Sequence, residues 1–220
     1  MMNIAIDGPA GAGKSSIAKL VAKKLSFVYI DTGAMYRTMA LYCLKHGIET
    51  KDGAQVEGRC DEIDIKIAYE DGEQQIYLNG ENVSSEIRSE QVGNQASVVA
   101  SYPKVREKLV SLQRQMAASS DVIMDGRDIG TVVLPDAEVK IYLTASSAVR
   151  AGRRYKELQG KGIECDLKKI EEDIIVRDRQ DMSRDVSPLR QAEDAVLLDS
   201  SDLSIEEVVD RIIAICKKSA

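Results

Sequence analysis

Short apolar runs, each typical of a buried β-strand, alternate along the chain with segments in which apolar residues recur every three or four positions, as in amphipathic helices. The first pair is a strand at residues 3–7 and a helix at residues 14–25. Further strands are predicted at residues 27–30, 122–125, 139–143 and 195–198, and further helices at residues 34–46 and from Ser204 onward. Alternating strands and helices form parallel sheets that are covered on both faces. The pattern therefore predicts an α/β fold with a five-stranded parallel sheet flanked by helices.

The middle of the chain departs from this alternation. Residues 63–67 alternate between apolar and polar positions, residues 75–78 form a second short run, and Asn79-Gly80 is a strong turn signal. These features predict a small antiparallel β insertion within about residues 60–95. Helical patterning resumes at about residues 84–119, where Pro103 should begin a new helix. Because no repeat or Pro/Gly-rich linker divides the sequence, residues 1–220 are predicted to form a single domain.

The composition excludes several classes of function. The chain has 220 residues, with 30 Lys and Arg against 36 Asp and Glu, a net charge of −6 and only 4% aromatic residues. A nucleic-acid polymer is bound by a basic surface or by exposed stacking aromatics, so no such partner is expected. The sequence has no run of about 18 apolar residues and no cleavable leader, which predicts a cytoplasmic protein without membrane contact. The four cysteines form no Cys-x-x-Cys pair and are expected to be reduced.

The loop after the first predicted strand carries the clearest chemical signal. Residues 8–15 read GPAGAGKS and fit the pattern G-x-x-x-x-G-K-[ST] between a strand and a helix. In such loops, backbone N–H groups surround the phosphates of a nucleoside triphosphate at the positive end of the helix. Lys14 is expected to reach the terminal phosphates, and Ser15 is expected to bind Mg²⁺.

Other residues separate the classes of protein that use this loop. The guanine-reading Asn-Lys-x-Asp segment of GTPase switches is absent, and no apolar run ends in the Asp-Glu pair typical of motor ATPases. Arg37 and Arg127 follow predicted strands, where an open parallel sheet binds its ligand, which suits a kinase whose acceptor is a phosphate monoester. A kinase for UMP or another small phosphate ester remains an alternative, as does a nucleotide sensor that transfers no phosphoryl group.

Two later helical segments extend this interpretation. From about residue 166, one predicted helix face changes from aliphatic to charged side chains, in the order Leu167, Ile170, Ile174, Arg177, Asp181 and Arg184. We expect the aliphatic end to be buried and the charged end to face a ligand. Upstream, the arginine-rich stretch of Arg150, Arg153 and Arg154 precedes Gly160-Lys161-Gly162. This combination suits a mobile lid at about residues 150–166 that closes over the transferred phosphate.

Four segments together resemble the bacterial cytidylate kinases, a family of nucleoside monophosphate kinases with a phosphate-loop fold. The segments are GPAGAGKS at 8–15, DTGAMYR at 31–37, DGRD at 125–128 and RDRQDMSR at 177–184. The resemblance covers essentially the whole chain. It implies a monomer that transfers the γ-phosphoryl group of ATP, with Mg²⁺, to CMP or dCMP in pyrimidine nucleotide metabolism. The sequence departs from common family forms at Thr32 and at Ser15-Ser16, and both departures keep the hydroxyl that is needed.

The resemblance also assigns roles to individual residues. The catalytic residues that it implies are Lys14, Arg127, Arg153 and Arg154. The ATP contacts are Gly8, Pro9, Ala10, Gly11, Ala12, Gly13, Lys14, Ser15 and Ser16, with Ser15 as the metal ligand. The CMP contacts are Thr32, Arg37 and Arg127 for the phosphate, Ser97, Arg106, Asp128 and Arg184 for the cytosine, and Arg177 and Asp181 for the pentose. The amino donor and the acceptors of cytosine suit a carboxylate and arginines, respectively.

Overall fold

The structure of the protein, a computed structural model, describes residues 1–70 and 73–219. The helices are α1 (Lys14–Leu25), α2 (Thr32–Lys45), α3 (Gly53–Gly58), α4 (Glu90–Val99), α5 (Pro103–Ala117), α6 (Ser147–Gly160), α7 (Leu167–Met182) and α8 (Ile205–Ser219). The strands are β1 (Asn3–Asp7), β2 (Val28–Asp31), β3 (Ile65–Glu70), β4 (Glu73–Leu78), β5 (Glu81–Asn82), β6 (Val122–Gly126), β7 (Val139–Thr144) and β8 (Val196–Asp199). The chain divides into two compact units, one of Met1–Tyr29 with the chain from Ser120 onward, and one of Ile30–Ser119.

The main sheet confirms the predicted α/β fold. Its five strands lie in the order β2-β6-β1-β7-β8, and β1 pairs in parallel with both β6 and β7. The register sets Asp7, the last residue of β1, beside Gly126 of β6 and Tyr142 of β7. The carboxyl ends of the three central strands therefore reach the same edge of the sheet, where ligands bind in open parallel sheets.

The core of the first unit explains why these strands form. The side chains of Ile6 in β1, Ile123 in β6 and Ile141 in β7 are at most 1% exposed and belong to a core that includes residues of α1 and α8. Helix α8 begins with a capping box, because the Ser204 N–H donates to Glu207 Oε2 at 2.8 Å and the Glu207 N–H donates to Ser204 Oγ at 3.2 Å.

The second unit contains the predicted antiparallel insertion. Strands β3, β4 and β5 form a separate antiparallel sheet, and Asn79-Gly80 makes the turn between β4 and β5 with positive φ angles of 49° and 88°. Helix α2 packs against α4 and α5. Pro103 is the first residue of α5, as its fixed φ and missing N–H favour. The larger assignment of a single domain, with an insertion at 60–95 and a lid at 150–166, stays a prediction.

One expectation about α7 is wrong. Its aliphatic end is not a buried face, because Leu167 is 45% exposed and Asp181, at the other end, is the one fully buried residue of the helix. The helix packs mainly against α6, and this packing leaves its first turn in solvent. Within residues 1–70 and 73–219, no helix has the length and apolar character needed to cross a membrane.

Candidate active site

The phosphate loop has the shape that its glycines predict. Gly8 leaves β1 with a φ of 150°, and a Cβ at this position would lie 1.9 Å from the carbonyl oxygen of Leu143. Only glycine permits this approach to β7. Gly13 precedes α1 in a left-handed conformation with a φ of 89°, and it has no side chain to cap the helix. The first N–H groups of α1 are therefore available to an anion, as the predicted triphosphate site requires.

Lys14 lies inside this loop. Its side chain is 6% exposed, and its Nζ donates a hydrogen bond to the carbonyl oxygen of Pro9 at 2.8 Å. Burial and the positive charge of Arg127 lower the pKa of Lys14 to about 7, against the opposing effects of nearby carboxylates. A bound polyphosphate would favour the charged ammonium here.

Asp125, at the carboxyl end of β6, joins Ser15 to Tyr29. The Ser15 hydroxyl donates to Asp125 Oδ2 and the Tyr29 hydroxyl donates to Asp125 Oδ1, both at 2.8 Å. The carboxylate is only 4% exposed. This arrangement holds a hydroxyl and a carboxylate side by side at the end of the phosphate loop.

A pocket of about 570 Å³ opens beside the same loop. It is lined by residues of the loop and α1, by Arg150, Arg153 and Arg154 of α6, and by an apolar wall that includes Leu203 and Val208. Arg153 donates to the Ser200 carbonyl oxygen at 2.7 Å, and Arg154 pairs with Glu157 at 2.9 Å. The structure thus brings both predicted lid arginines to the phosphate loop, in a pocket whose apolar wall suits a nucleobase.

A second cluster of predicted residues is centred on Asp181. Its carboxylate is 1% exposed and accepts a hydrogen bond from Arg127 Nε at 2.7 Å and another from Arg184. Burial alone would raise the pKa of Asp181, but Arg127, Arg184 and Arg177 outweigh this effect and lower it. The Arg127 side chain is 20% exposed and the Arg184 side chain 11%. Two guanidinium groups are therefore fixed on one carboxylate, with Asp128 buried in the adjoining segment.

Arg150 connects the phosphate loop to α7. Its guanidinium donates to the carbonyl oxygens of Ala10 at 2.9 Å and Ala145 at 2.9 Å. It also forms an ion pair with Asp178 at 2.6 Å, and the Arg150 side chain is 6% exposed. Asp178 lies one turn before Asp181 on α7, so a single buried side chain fixes the loop relative to the helix that carries the arginine cluster.

The remaining predicted acceptor residues lie in the second unit, on helices that pack together. Thr32 and Arg37 are on α2, Ser97 is on α4 and Arg106 is on α5. Thr32 is 3% exposed and Arg106 is 4% exposed. The Arg106 guanidinium lies over the Tyr36 ring, 5.5 Å from its centroid, and donates to the carbonyl oxygen of Ala100 at 3.2 Å. The orientation of this arginine is therefore fixed by its neighbours.

Comparison with known proteins decides the family. The family model described as cytidylate kinase matches residues 4–218. The chain belongs to the cytidylate kinase family. It is 51% identical over 218 residues to the cytidylate kinase of Lactobacillus johnsonii, covering 99% of this chain and 95% of that enzyme. It is 49% identical over 214 residues to the cytidylate kinase of Bacillus cereus, covering 97% and 95% of the two chains. The resemblance seen in the four sequence segments is thereby confirmed.

Solved structures agree on the fold of this cytidylate kinase family member. An uncharacterized protein from Eubacterium ventriosum matches with a TM-score of 0.57 and 11% identity, covering 99% of both chains. Shikimate kinase from Bacteroides thetaiotaomicron matches with a TM-score of 0.50 and 15% identity, covering 98% of both chains. At these identities the likeness extends to the fold alone.

Asp7 and Asp125 were given no role from the sequence, and Arg150 was expected in a mobile lid rather than as the link between the phosphate loop and α7. Asp7 and Asp125 are acidic residues at the ends of apolar strands, and both are at most 5% exposed. A carboxylate in a buried strand is costly, so its position alone was a signal of a specific role. Arg150 gave a weaker signal, because an arginine on a predicted helix is most often a solvated surface residue.

Proposed function

We propose that the protein transfers the γ-phosphoryl group of ATP to CMP or dCMP, giving ADP and CDP or dCDP. The observation that carries this proposal, beside family membership, is the mutual repulsion of two cations. Arg127 lies close enough to Lys14 to lower the pKa of Lys14. A lysine of the donor loop and an arginine suited to an acceptor phosphate thus lie near each other, as the stabilisation of a phosphoryl group in transfer requires.

The reaction makes modest chemical demands on the protein. The attacking oxygen of the acceptor phosphate is already anionic, so no general base has to remove a proton from it. The enzyme instead positions two polyanions and stabilises the charge on the oxygens of the transferred group. We assign the charge stabilisation to Lys14, Arg127, Arg153 and Arg154. We assign the donor phosphates to residues 8–16, which bind them through the backbone N–H groups that all of these residues except Pro9 carry.

The residues beside the phosphate loop fit a magnesium ion. Ser15 and Asp125 present a hydroxyl and a carboxylate that are linked to each other at 2.8 Å, and hard oxygen donors of this kind suit Mg²⁺. We assign Ser15 as a ligand and Asp125 as its partner at the site. When bound with ATP, the ion neutralises charge on the phosphate oxygens. Tyr29 holds the Asp125 carboxylate in place through its hydroxyl.

The Tyr29→Phe variant tests this site. Removal of one hydrogen bond to a buried carboxylate costs about 1–2 kcal/mol, so the variant should bind Mg²⁺ about 5–30-fold more weakly in the ADP complex. Calorimetric titration of Mg²⁺ into the protein with ADP measures this affinity. Tyr77→Phe, which removes a tyrosine hydrogen bond to Glu70, is the matched control and should leave it unchanged. Equal affinity in the Tyr29→Phe variant and the wild type would contradict the assignment.

The acceptor residues belong to three groups by the part of CMP that they contact. We propose that Thr32, Arg37 and Arg127 bind the phosphate of CMP, and that Arg177 and Asp181 bind its pentose. The cytosine contacts are Ser97, Arg106, Asp128 and Arg184. The burial of Asp128 and Arg106 supports this assignment, because a base that leaves a buried donor or acceptor unpaired is rejected strongly.

An acceptor panel tests the function and the role of Asp128 together. ADP release is measured with ATP, Mg²⁺ and each of CMP, dCMP, UMP, AMP and GMP, and the products are identified directly. The wild type should phosphorylate CMP and dCMP efficiently and UMP weakly. Asp128→Asn should lower the preference for CMP over UMP in kcat/KM by about 10-fold or more, because the amide presents a donor to the cytosine amino group.

The exposed Asp136 supplies the control, since Asp136→Asn should leave the preference unchanged. A wild type that prefers UMP would identify a related kinase and discard the base-reading residues. ATP binding without any diphosphate product would identify a nucleotide sensor. We further propose that the enzyme is a monomer in the cytoplasm, where its free thiols at Cys43, Cys60, Cys165 and Cys216 would stay reduced.

A further inference from the structure

We infer that Asp7 is a positioning residue for acceptor binding, because it holds the segment after Asp128 by two backbone hydrogen bonds. Asp7 Oδ1 accepts from the Ile129 N–H at 2.8 Å, and Oδ2 accepts from the Gly130 N–H at 2.7 Å. These bonds connect residues that are 122 and 123 positions apart. The inference rests on the acceptor roles proposed for Arg127 and Asp128.

The held segment has an unusual backbone. Ile129–Val133 forms a π-helical turn, in which the N–H groups of Val132 and Val133 donate to the Asp128 carbonyl oxygen. Such turns are rare and are frequent at functional sites. Ile129 and Gly130 are at the amino end of the turn, where N–H groups have no partner within a helix. The carboxylate of Asp7 supplies those partners from another strand, as a capping side chain normally does from the preceding residue.

The packing around the turn is tight. A Cβ on Gly130 would lie 3.2 Å from Lys140 Cδ and 3.4 Å from Asp7 Oδ2, so the segment lies close against β1 and β7. Asp7 is 5% exposed. Arg127 and Asp128 immediately precede the two bonded amides. The Asp7 carboxylate therefore fixes the position from which Arg127 reaches Asp181, and it fixes the direction of the buried Asp128 carboxylate.

The negative charge of Asp7 at neutral pH does not stabilise the fold. Burial raises the pKa of Asp7 to about 6, with a smaller increase from Asp128, against opposing effects of the two N–H groups and Lys14. A raised carboxyl pKa means that the native state takes up protons more readily than the unfolded chain, so folding stability falls as pH rises from about 4 to 6. An ionised Asp7 at neutral pH is therefore a cost to folding, as is common for groups retained for activity.

Kinetics of the Asp7→Asn variant test this role. An amide oxygen accepts at one of the two N–H groups, but the amide nitrogen faces the other N–H with a second donor. We expect the KM for CMP to rise about 10-fold or more while the KM for ATP changes less than about 2-fold, with a melting temperature no lower than that of the wild type. Asp52→Asn, at the exposed cap of α3, is the control and should change neither KM.

Two further measurements make the test decisive. Asp7→Glu keeps the charge near Lys14 but displaces the carboxylate, so it should also raise the KM for CMP. The inference would be overturned if Asp7→Glu kept the wild-type KM for CMP, or if Asp7→Asn raised the KM for CMP and the KM for ATP equally. It would also be overturned if either variant did not fold. Hydrogen exchange at Ile129 and Gly130 should be faster in Asp7→Asn, and unchanged exchange would also overturn it. This exchange stays informative even if the wild type does not phosphorylate CMP, an outcome that would refute the proposed function instead.

Discussion

Lys14→Met is expected to lower kcat for phosphoryl transfer by about 10³-fold while the protein stays folded, because the variant removes one charge that stabilises the transferred group. The stability should equal or exceed that of the wild type near pH 7. The pKa of Lys14 is lowered to about 7, so the native state binds fewer protons than the unfolded chain between about pH 7 and 10.5. Stability therefore rises with pH across this window, and below it the charged lysine carries its full cost. Removing the ammonium removes that cost.

Rapid-quench measurement of the chemical step and thermal melting at pH 6.5 and 9 together check this prediction. Lys23→Met, an exposed change in the last turn of the same helix, is the matched control and should alter neither quantity. A Lys14→Met variant that retains a tenth of the wild-type kcat would exclude the proposed catalytic role. A variant that melts at a much lower temperature would instead mean that the ammonium stabilises the loop.

Asp181→Asn is expected to affect both stability and acceptor binding. Breaking a buried ion pair by removing one partner costs about 3–5 kcal/mol, because it leaves the other charge uncompensated. Here the carboxylate lies between Arg127 and Arg184, so two guanidinium groups would lose their partner. We expect the free energy of unfolding to fall by about 3 kcal/mol and the kcat/KM for CMP to fall at least as strongly as in Asp128→Asn.

The pH dependence of this contribution follows from the lowered pKa of Asp181. Its stabilisation is present above the ordinary carboxyl pKa of about 3.8 and is lost only as pH falls through the lower native value. Urea unfolding at pH 7 and at pH 3 measures it. Asp210→Asn breaks an exposed pair with Lys24 and should cost less than about 1 kcal/mol. An Asp181→Asn variant that unfolds at the urea concentration of this control would contradict the prediction.

The apolar pattern predicted the sheet because strands buried on both faces have little freedom in composition. The runs at β1, β6 and β7 consist almost entirely of residues that are fully buried. The phosphate loop was equally predictable, since the close approach of Gly8 to Leu143 admits no other residue. The apolar spacing gave a wrong prediction at α7, because Leu167, Ile170 and Ile174 would be spaced in the same way on a face buried in a core and on a face that is only partly covered.

The partners of the charged residues were beyond prediction for a different reason. The hydrogen bonds from Ile129 and Gly130 to Asp7 join parts of the chain that only the folded sheet brings together. In the same way, Asp125 accepts hydrogen bonds from the hydroxyls of Ser15 and Tyr29, which lie 110 and 96 positions away in the sequence. A motif specifies which residue types are present, whereas their pairing depends on strand order, which local spacing does not contain.

The ion pair of Arg150 with Asp178 limits which parts of the helical hairpin formed by α6 and α7 can swing. The pair is buried and anchored to the Ala10 carbonyl oxygen, so it acts as a pivot near the base of both helices. Displacing the whole hairpin would break this buried ion pair and leave its charges without their partners, at a cost of about 3–5 kcal/mol. The exposed connection at residues 161–164 lies at the far end of the two helices. We propose that substrates enter while the base of the hairpin stays with the phosphate loop, so that any movement is confined to its far end.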